Sequence, residues 1–230
     1  MILKELANYQ KVQDAARYTL SAITQFIKPG VSEDYLVKKC DELQKAAGVN
    51  SYWYKSLPAL VLAGDRTTLA ISSTPYLPSD KKIQENDLLT IDLNPSIDGY
   101  PGDMARTYYI EAGIVNYAPQ RNLECVAGAH AQSHLHSMLM QVAYPEMTFN
   151  ELYYILSKEI ELLGFEQIDY IGHTVQKDMR HLNFIAPNET CSLSSAGFFT
   201  LEPHICTKGG QYGFKHENIY YFKTQTLQEL

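Results

Sequence analysis

Leu88-Leu89-Thr90-Ile91-Asp92-Leu93 is an apolar run of strand composition with a carboxylate set inside it. Eleven residues after Asp92, Tyr100-Pro101-Gly102-Asp103-Met104-Ala105-Arg106-Thr107 brings a second acid into a turn that leads to another β-type run. The neighbours of Asp92 imply at least partial burial, and a buried carboxylate without a cation, a donor or a metal is costly. Phe198-Phe199-Thr200-Leu201-Glu202 repeats the design, an apolar strand closed by an acid before Pro203. Tyr108-Tyr109-Ile110 after Asp103 pairs loosely with Tyr220-Tyr221-Phe222 after Glu217.

The helices echo in the same way. Leu3 to Phe26 has helical apolar spacing and stops at Pro29-Gly30; a second helix opens at Ser32, with Glu33 and Asp34 in its first turn, and runs towards Gly48. At an offset of 116, Pro29, Ser32, Leu36 and Gly48 meet Pro145, Thr148, Leu152 and Gly164. These matches predict one domain over residues 1–230, a duplicated α+β unit whose halves are about 1–115 and 116–230. Related by an approximate two-fold, the halves would bring four acids from corresponding strands to one axis.

The 230 residues, 45% hydrophobic and 20% charged, have the composition of a globular protein with a buried core. The net charge, 19 − 26 = −7, repels phosphate backbones, so nucleic acid is not an expected partner. No apolar run reaches the ~20 residues of a membrane span, and the charged N-terminal stretch has no signal-peptide core. Cys40, Cys125, Cys191 and Cys206 form no CxxC pair, which suits a reduced cytoplasm.

Read singly, Asp92, Asp103, Glu202 and Glu217 have ordinary explanations as capping, turn or surface acids. Read together with His173 of Tyr170-Ile171-Gly172-His173-Thr174, they are the ligand complement of an oxygen-rich site for two divalent ions such as Mn, Fe(II), Co or Zn. His130 and His134, four apart on a predicted helix, lack the glutamate of HExxH, and no GxSxG elbow is present.

The set Ile91-Asp92-Leu93, Gly102-Asp103-Met104-Ala105-Arg106-Thr107, Gly172-His173, Thr200-Leu201-Glu202-Pro203 and Gly213-Phe214-Lys215-His216-Glu217 resembles the pita-bread metallopeptidase family of methionine aminopeptidase, aminopeptidase P and prolidase. The resemblance covers nearly the whole chain. It implies an α/β (α+β) pita-bread fold with pseudo-two-fold symmetry, a curved antiparallel sheet flanked by helices. It implies Asp92, Asp103, His173, Glu202 and Glu217 as ligands of two divalent ions, with Asp103 and Glu217 bridging. Glu202 then handles the proton of a metal-activated water that attacks the amide, and His181 orients the substrate or its tetrahedral intermediate. His204, two residues past Glu202, is expected beside the metals as a substrate contact. The implied activity is removal of an N-terminal residue or dipeptide from a peptide or small amide, and a homodimer is one expected assembly.

Two departures stand against this. The family's second histidine follows the ligand histidine by seven residues, whereas His181 follows His173 by eight. The family also carries a substrate-contacting histidine before the first acidic strand, where this chain has Ala70-Ile71-Ser72-Ser73-Thr74-Pro75. The alternative expectation is therefore a pita-bread protein that binds a small molecule or peptide without turning it over. The larger proline-specific relatives carry an extra N-terminal domain, which is not expected here.

Overall fold

The computed structural model describes residues 2–73 and 75–230; Met1, and Thr74 of the histidine-free stretch, lie outside the described residues. The described residues form four long helices, α1 (Ile2–Ala22), α2 (Glu33–Ala46), α3 (Leu123–Val142) and α4 (Phe149–Leu162). The Ser32 hydroxyl caps α2, and Thr148 with Glu151 forms a capping box on α4. Gly48 and Gly164 follow the two helices with φ of +91° and +83°, a conformation that glycine adopts without steric cost. A further short helix, α5 (Leu193–Ala196), precedes the Glu202 strand.

All strand pairings are antiparallel. One four-stranded sheet runs Ala59–Ala63, Asp87–Leu93, Met104–Glu111, Ile114–Asn116; another runs Thr226–Glu229, Asn218–Lys223, Phe198–Leu201, Thr174–Val175. The strand His204–Thr207 pairs with Gly213–Lys215 and Phe165–Gln167 in a three-stranded sheet. A second three-stranded sheet joins Ser51–Tyr52, Pro95–Ile97 and Tyr100–Pro101.

Every residue of Asp87–Leu93 is buried, more than partial burial, because both faces of this strand are covered. The period of two decides what each face meets. Leu89, Ile91 and Leu93 enter a core with Ala16, Leu20, Leu36 and Cys40 of α1 and α2, while Thr90 and Asp92 point the other way, into a pocket. Phe199 and Leu201 likewise pack against Leu135, Leu139, Leu152 and Leu156 of α3 and α4, which leaves Glu202 facing the same pocket. A fully buried leucine contributes about 1.5–3 kcal/mol, so these helices hold both acidic strands in register. A one-residue slip would turn Asp92 into the core and a leucine into the pocket.

Candidate metal centre

A pocket is lined by Asp92, Asp103, His173, Glu202, His204 and Lys215, with Trp53, Tyr54 and Tyr170 among its walls. Glu217 has no exposed surface. One ligand atom each from Asp103, His173 and Glu217 lies within 4.8 Å of the others, and all three residues are buried.

Backbone hydrogen bonds place these groups. The His173 amide donates to Thr200 Oγ1 at 3.0 Å, the Thr200 amide to His173 O at 2.8 Å, and the Glu202 amide to Ile171 O at 2.7 Å. His173 and Glu202 are thus locked to adjacent chains. On the other side, Gln13 of α1 grips Asp103, its Nε2 donating to Asp103 O at 2.7 Å while its Oε1 accepts from the Asp103 amide at 3.2 Å. Trp53 Nε1 donates to Gly102 O at 2.9 Å. Across the seam, the Glu217 amide donates to Ala105 O at 3.0 Å, Arg106 Nη1 to Glu217 O at 2.6 Å and Arg106 Nη2 to Asn218 Oδ1 at 2.7 Å.

His173 Nδ1 donates to Thr174 O at 2.9 Å, which in the neutral ring leaves the Nε2 lone pair free. That nitrogen is 3.2 Å from Glu202 Oε1 and 3.5 Å from Asp103 Oδ2. Thr200 Oγ1 donates to Glu202 Oε1 at 2.9 Å. Among the described residues, Asp103 Oδ2, Asp92 Oδ1 and both oxygens of Glu217 are buried without a hydrogen-bond partner. Orphaned carboxylate oxygens beside an imidazole lone pair fit a divalent ion of the Mn, Fe, Co or Zn kind. Burial, and then the neighbouring acids, hold Asp103 and Glu217 well above the usual carboxylate range, a cost to their charged forms that a cation between them would relieve. Asp92 is raised by burial too, although Lys215 opposes the shift.

Lys215 is a member of this cluster that the sequence reading left without a role. Its Nζ donates to Asp92 Oδ2 at 2.6 Å and lies 2.9 Å from Glu202 Oε2. Burial pushes the ammonium down, but the charges of Asp92 and Glu202 outweigh it and hold it well above the usual lysine value. The signal was available, since Lys215 and Glu217 are two apart and a strand puts such neighbours on one face. Gln13 and Trp53 reach the site from distant elements and had no local signal.

His204 lines the pocket, and its Nε2 donates to Thr67 O at 2.7 Å. His181 is not brought into the cluster. It lies on the rim of an adjoining groove that shares Trp53, Tyr54, Ser72 and Tyr170 with the pocket, with its side chain 79% exposed and its Nδ1 3.3 Å from Asp178 Oδ2. Where the upstream histidine is missing, Ser72 holds Asp169 instead, through its amide at 3.1 Å and its hydroxyl at 2.5 Å. His134 pairs with Glu159 on the surface at 2.8 Å.

The sequence pattern of metallopeptidase family M24 matches residues 7–224. The chain belongs to family M24. Among its relatives, the M24 chain is 24% identical to methionine aminopeptidase of Rickettsia prowazekii over 212 residues, 88% of this chain and 76% of that protein. It is 26% identical to Xaa-Pro dipeptidase of Pyrococcus furiosus, over 88% of this chain and 54% of the relative. Among solved structures, methionine aminopeptidase from Thermotoga maritima superposes with a TM-score of 0.80 at 17% identity, covering 98% of this chain and 96% of that one. X-Pro aminopeptidase from Thermotoga maritima gives 0.81 at 17% identity, again over 98% of this chain. The M24 chain spans about three-fifths of that structure's length. The fold is the pita-bread fold. No helix among the described residues is long and apolar enough to cross a membrane.

Outside the centre, His136 of α3 accepts from Tyr220 Oη at 2.7 Å through Nδ1 and donates to His216 O at 3.1 Å through Nε2, the pattern of a neutral ring. Burial lowers its pKa to about 4, with the Arg106 cation adding to the effect. The unfolded chain binds this proton near pH 6.5 and the folded chain only near 4, so His136 stabilises above 6.5 and that contribution disappears as pH falls towards 4. Urea unfolding at pH 7 and pH 5 is expected to show wild type losing more stability over this interval than His136→Gln. Equal losses would mean that the ring is already protonated in the fold.

Proposed function

We propose that the M24 chain is a metal-dependent hydrolase of the exopeptidase kind, cleaving the amide that follows an N-terminal residue or dipeptide. The observation that carries this reading is the convergence of Asp103, His173 and Glu217 with orphaned oxygens around one position. When bound there, a divalent ion of the Mn, Co, Fe or Zn kind supplies Lewis acidity towards a water and a carbonyl oxygen. Asp103, His173 and Glu217 hold the ion, with Asp92 and Glu202 completing the acidic wall. Glu202 takes the water proton and returns it to the leaving amine. His204, its Nε2 proton committed to Thr67 O, has Nδ1 left to accept from the peptide, and burial keeps it neutral by lowering its pKa to about 4. His181 meets the substrate from the groove rim.

The same reading takes residues 1–230 as one domain of two related halves, supported by the matched caps of α2 and α4 and the matched acids of their strands. Four free cysteines support a cytoplasmic setting. The second reading, a binder without turnover, is favoured by Ser72 holding Asp169 where a histidine is missing.

Met-, Ala- and Xaa-Pro-peptides offered with Mn or Co separate the two. Cleavage of one of them, reduced by about 10²–10⁴ in Glu202→Gln, is expected for the hydrolase. No cleavage by a chain that retains its ion would leave the binder.

A further inference from the structure

The geometry points to Lys215 as the stand-in for one of two cations, so that this centre takes a single divalent ion on Asp103, His173 and Glu217. The inference rests on the metal-dependent reading above and replaces the two ions that the sequence resemblance implies.

The lysine is held, not merely nearby. Its amide donates to Thr107 Oγ1 at 3.0 Å, and Thr107 Oγ1 donates to Lys215 O at 2.8 Å, so the strand Gly213–Lys215 is pinned to the opposite half. From there the side chain, 15% exposed, delivers Nζ to Asp92 Oδ2 at 2.6 Å and Glu202 Oε2 at 2.9 Å. A second ion beside the first needs Asp92, since Asp103, His173 and Glu217 already surround one position. A metal–carboxylate bond is about 2.0–2.2 Å, so an ion on Asp92 would lie against the ammonium inside a buried pocket. Two like charges there repel with little solvent screening.

The unpartnered oxygens agree with this division. Three of the four, Asp103 Oδ2 and both of Glu217, belong to the cluster without the lysine, and Asp92 keeps only Oδ1 unpartnered. Charge agrees as well. Four carboxylates and one ammonium sum to −4 + 1 = −3. One divalent ion brings the pocket to −1, hospitable to a substrate's N-terminal ammonium, whereas two bring it to +1. Lys215 also has a third N–H that Asp92 and Glu202 do not occupy, a donor for the carbonyl oxygen of a bound amide.

The test is metal stoichiometry by mass spectrometry after Mn(II) reconstitution and desalting, on wild type, Lys215→Gln and Lys215→Arg. The proposal expects one ion in wild type, one in Lys215→Arg and two in Lys215→Gln. Two ions in wild type, or one in Lys215→Gln, overturns it. No ion in wild type instead overturns the metal-dependent reading itself. Electron paramagnetic resonance of Mn-loaded wild type needs no variant to fold: an isolated-ion spectrum is expected, and a spin-coupled pair refutes the single-ion centre.

Discussion

Glu217→Gln is expected to bind Mn(II) more than about 100-fold more weakly than wild type, beyond what losing an outer-sphere partner costs. Glu217 is wholly buried, and neither of its oxygens has a hydrogen-bond partner among the described residues. Burial raises its pKa well above normal, with Asp103 and Glu202 adding to the shift, so the fold disfavours its charged form. A neutral amide of the same shape replaces it with little harm to the metal-free fold. The ion is what suffers, because it loses a carboxylate ligand. At a free ion concentration of 100 Kd, binding stabilises the fold by about 2.7 kcal/mol. At roughly 2–4 °C per kcal/mol for a chain of this size, Mn(II) raises the Tm of wild type by about 5–11 °C. At the same free ion concentration the rise should shrink to about 1–2 °C or less in Glu217→Gln, and its persistence would place the ion elsewhere. Affinity should also weaken as pH falls, because protons compete for Asp103 and Glu217, both of which have raised pKa values.

Gly172→Ala is expected to cost about 3 kcal/mol or more, at the upper end of what overpacking costs. That corresponds to a Tm roughly 6–12 °C lower. A Cβ at this position would lie 2.2 Å from Thr200 O and 2.8 Å from Ile185 Cδ1. The carbonyl is backbone and cannot step aside. The hydrogen bonds that link His173 to Thr200 and Ile171 to Glu202 cross this contact, so pushing the chains apart also separates His173 from Glu202. Thermal unfolding followed by circular dichroism checks the stability, and Mn(II) titration of the folded variant checks the site. A Tm within about 2 °C of wild type would show that the two chains separate freely here.

The acids were legible in the sequence because strand periodicity carries them. Leu89 and Ile91 announce a buried face, and Thr90 and Asp92 then belong to the other one. The helix expected from Leu3 to Phe26 is close to α1 with the 3₁₀ turn Ile23–Gln25 that follows it. Lys215 was quoted with its neighbours yet given no role, because a lysine next to a glutamate usually marks solvent. Only the pairing across the seam buries its ammonium. Gln13 could not be read at all, since its contact spans 90 residues and its own helix shows nothing but a polar residue among apolar ones. The resemblance assigned His181 to the substrate although its spacing from His173 is one residue longer than the family's, and the stretch between them carries the ring out to the groove rim.

Trp53 is the one tryptophan of the sequence. Its ring centroid lies 5.8 Å from that of His173, and its indole N–H is bonded to the peptide carbonyl immediately before Asp103. The chain therefore carries a fluorophore built into the wall of its own centre. Excited at the red edge, where the seventeen tyrosines do not absorb, its emission reports on that wall alone. A paramagnetic ion arriving beside His173 quenches it without any label, and a ligand entering the adjoining groove shifts its colour by excluding water from the ring.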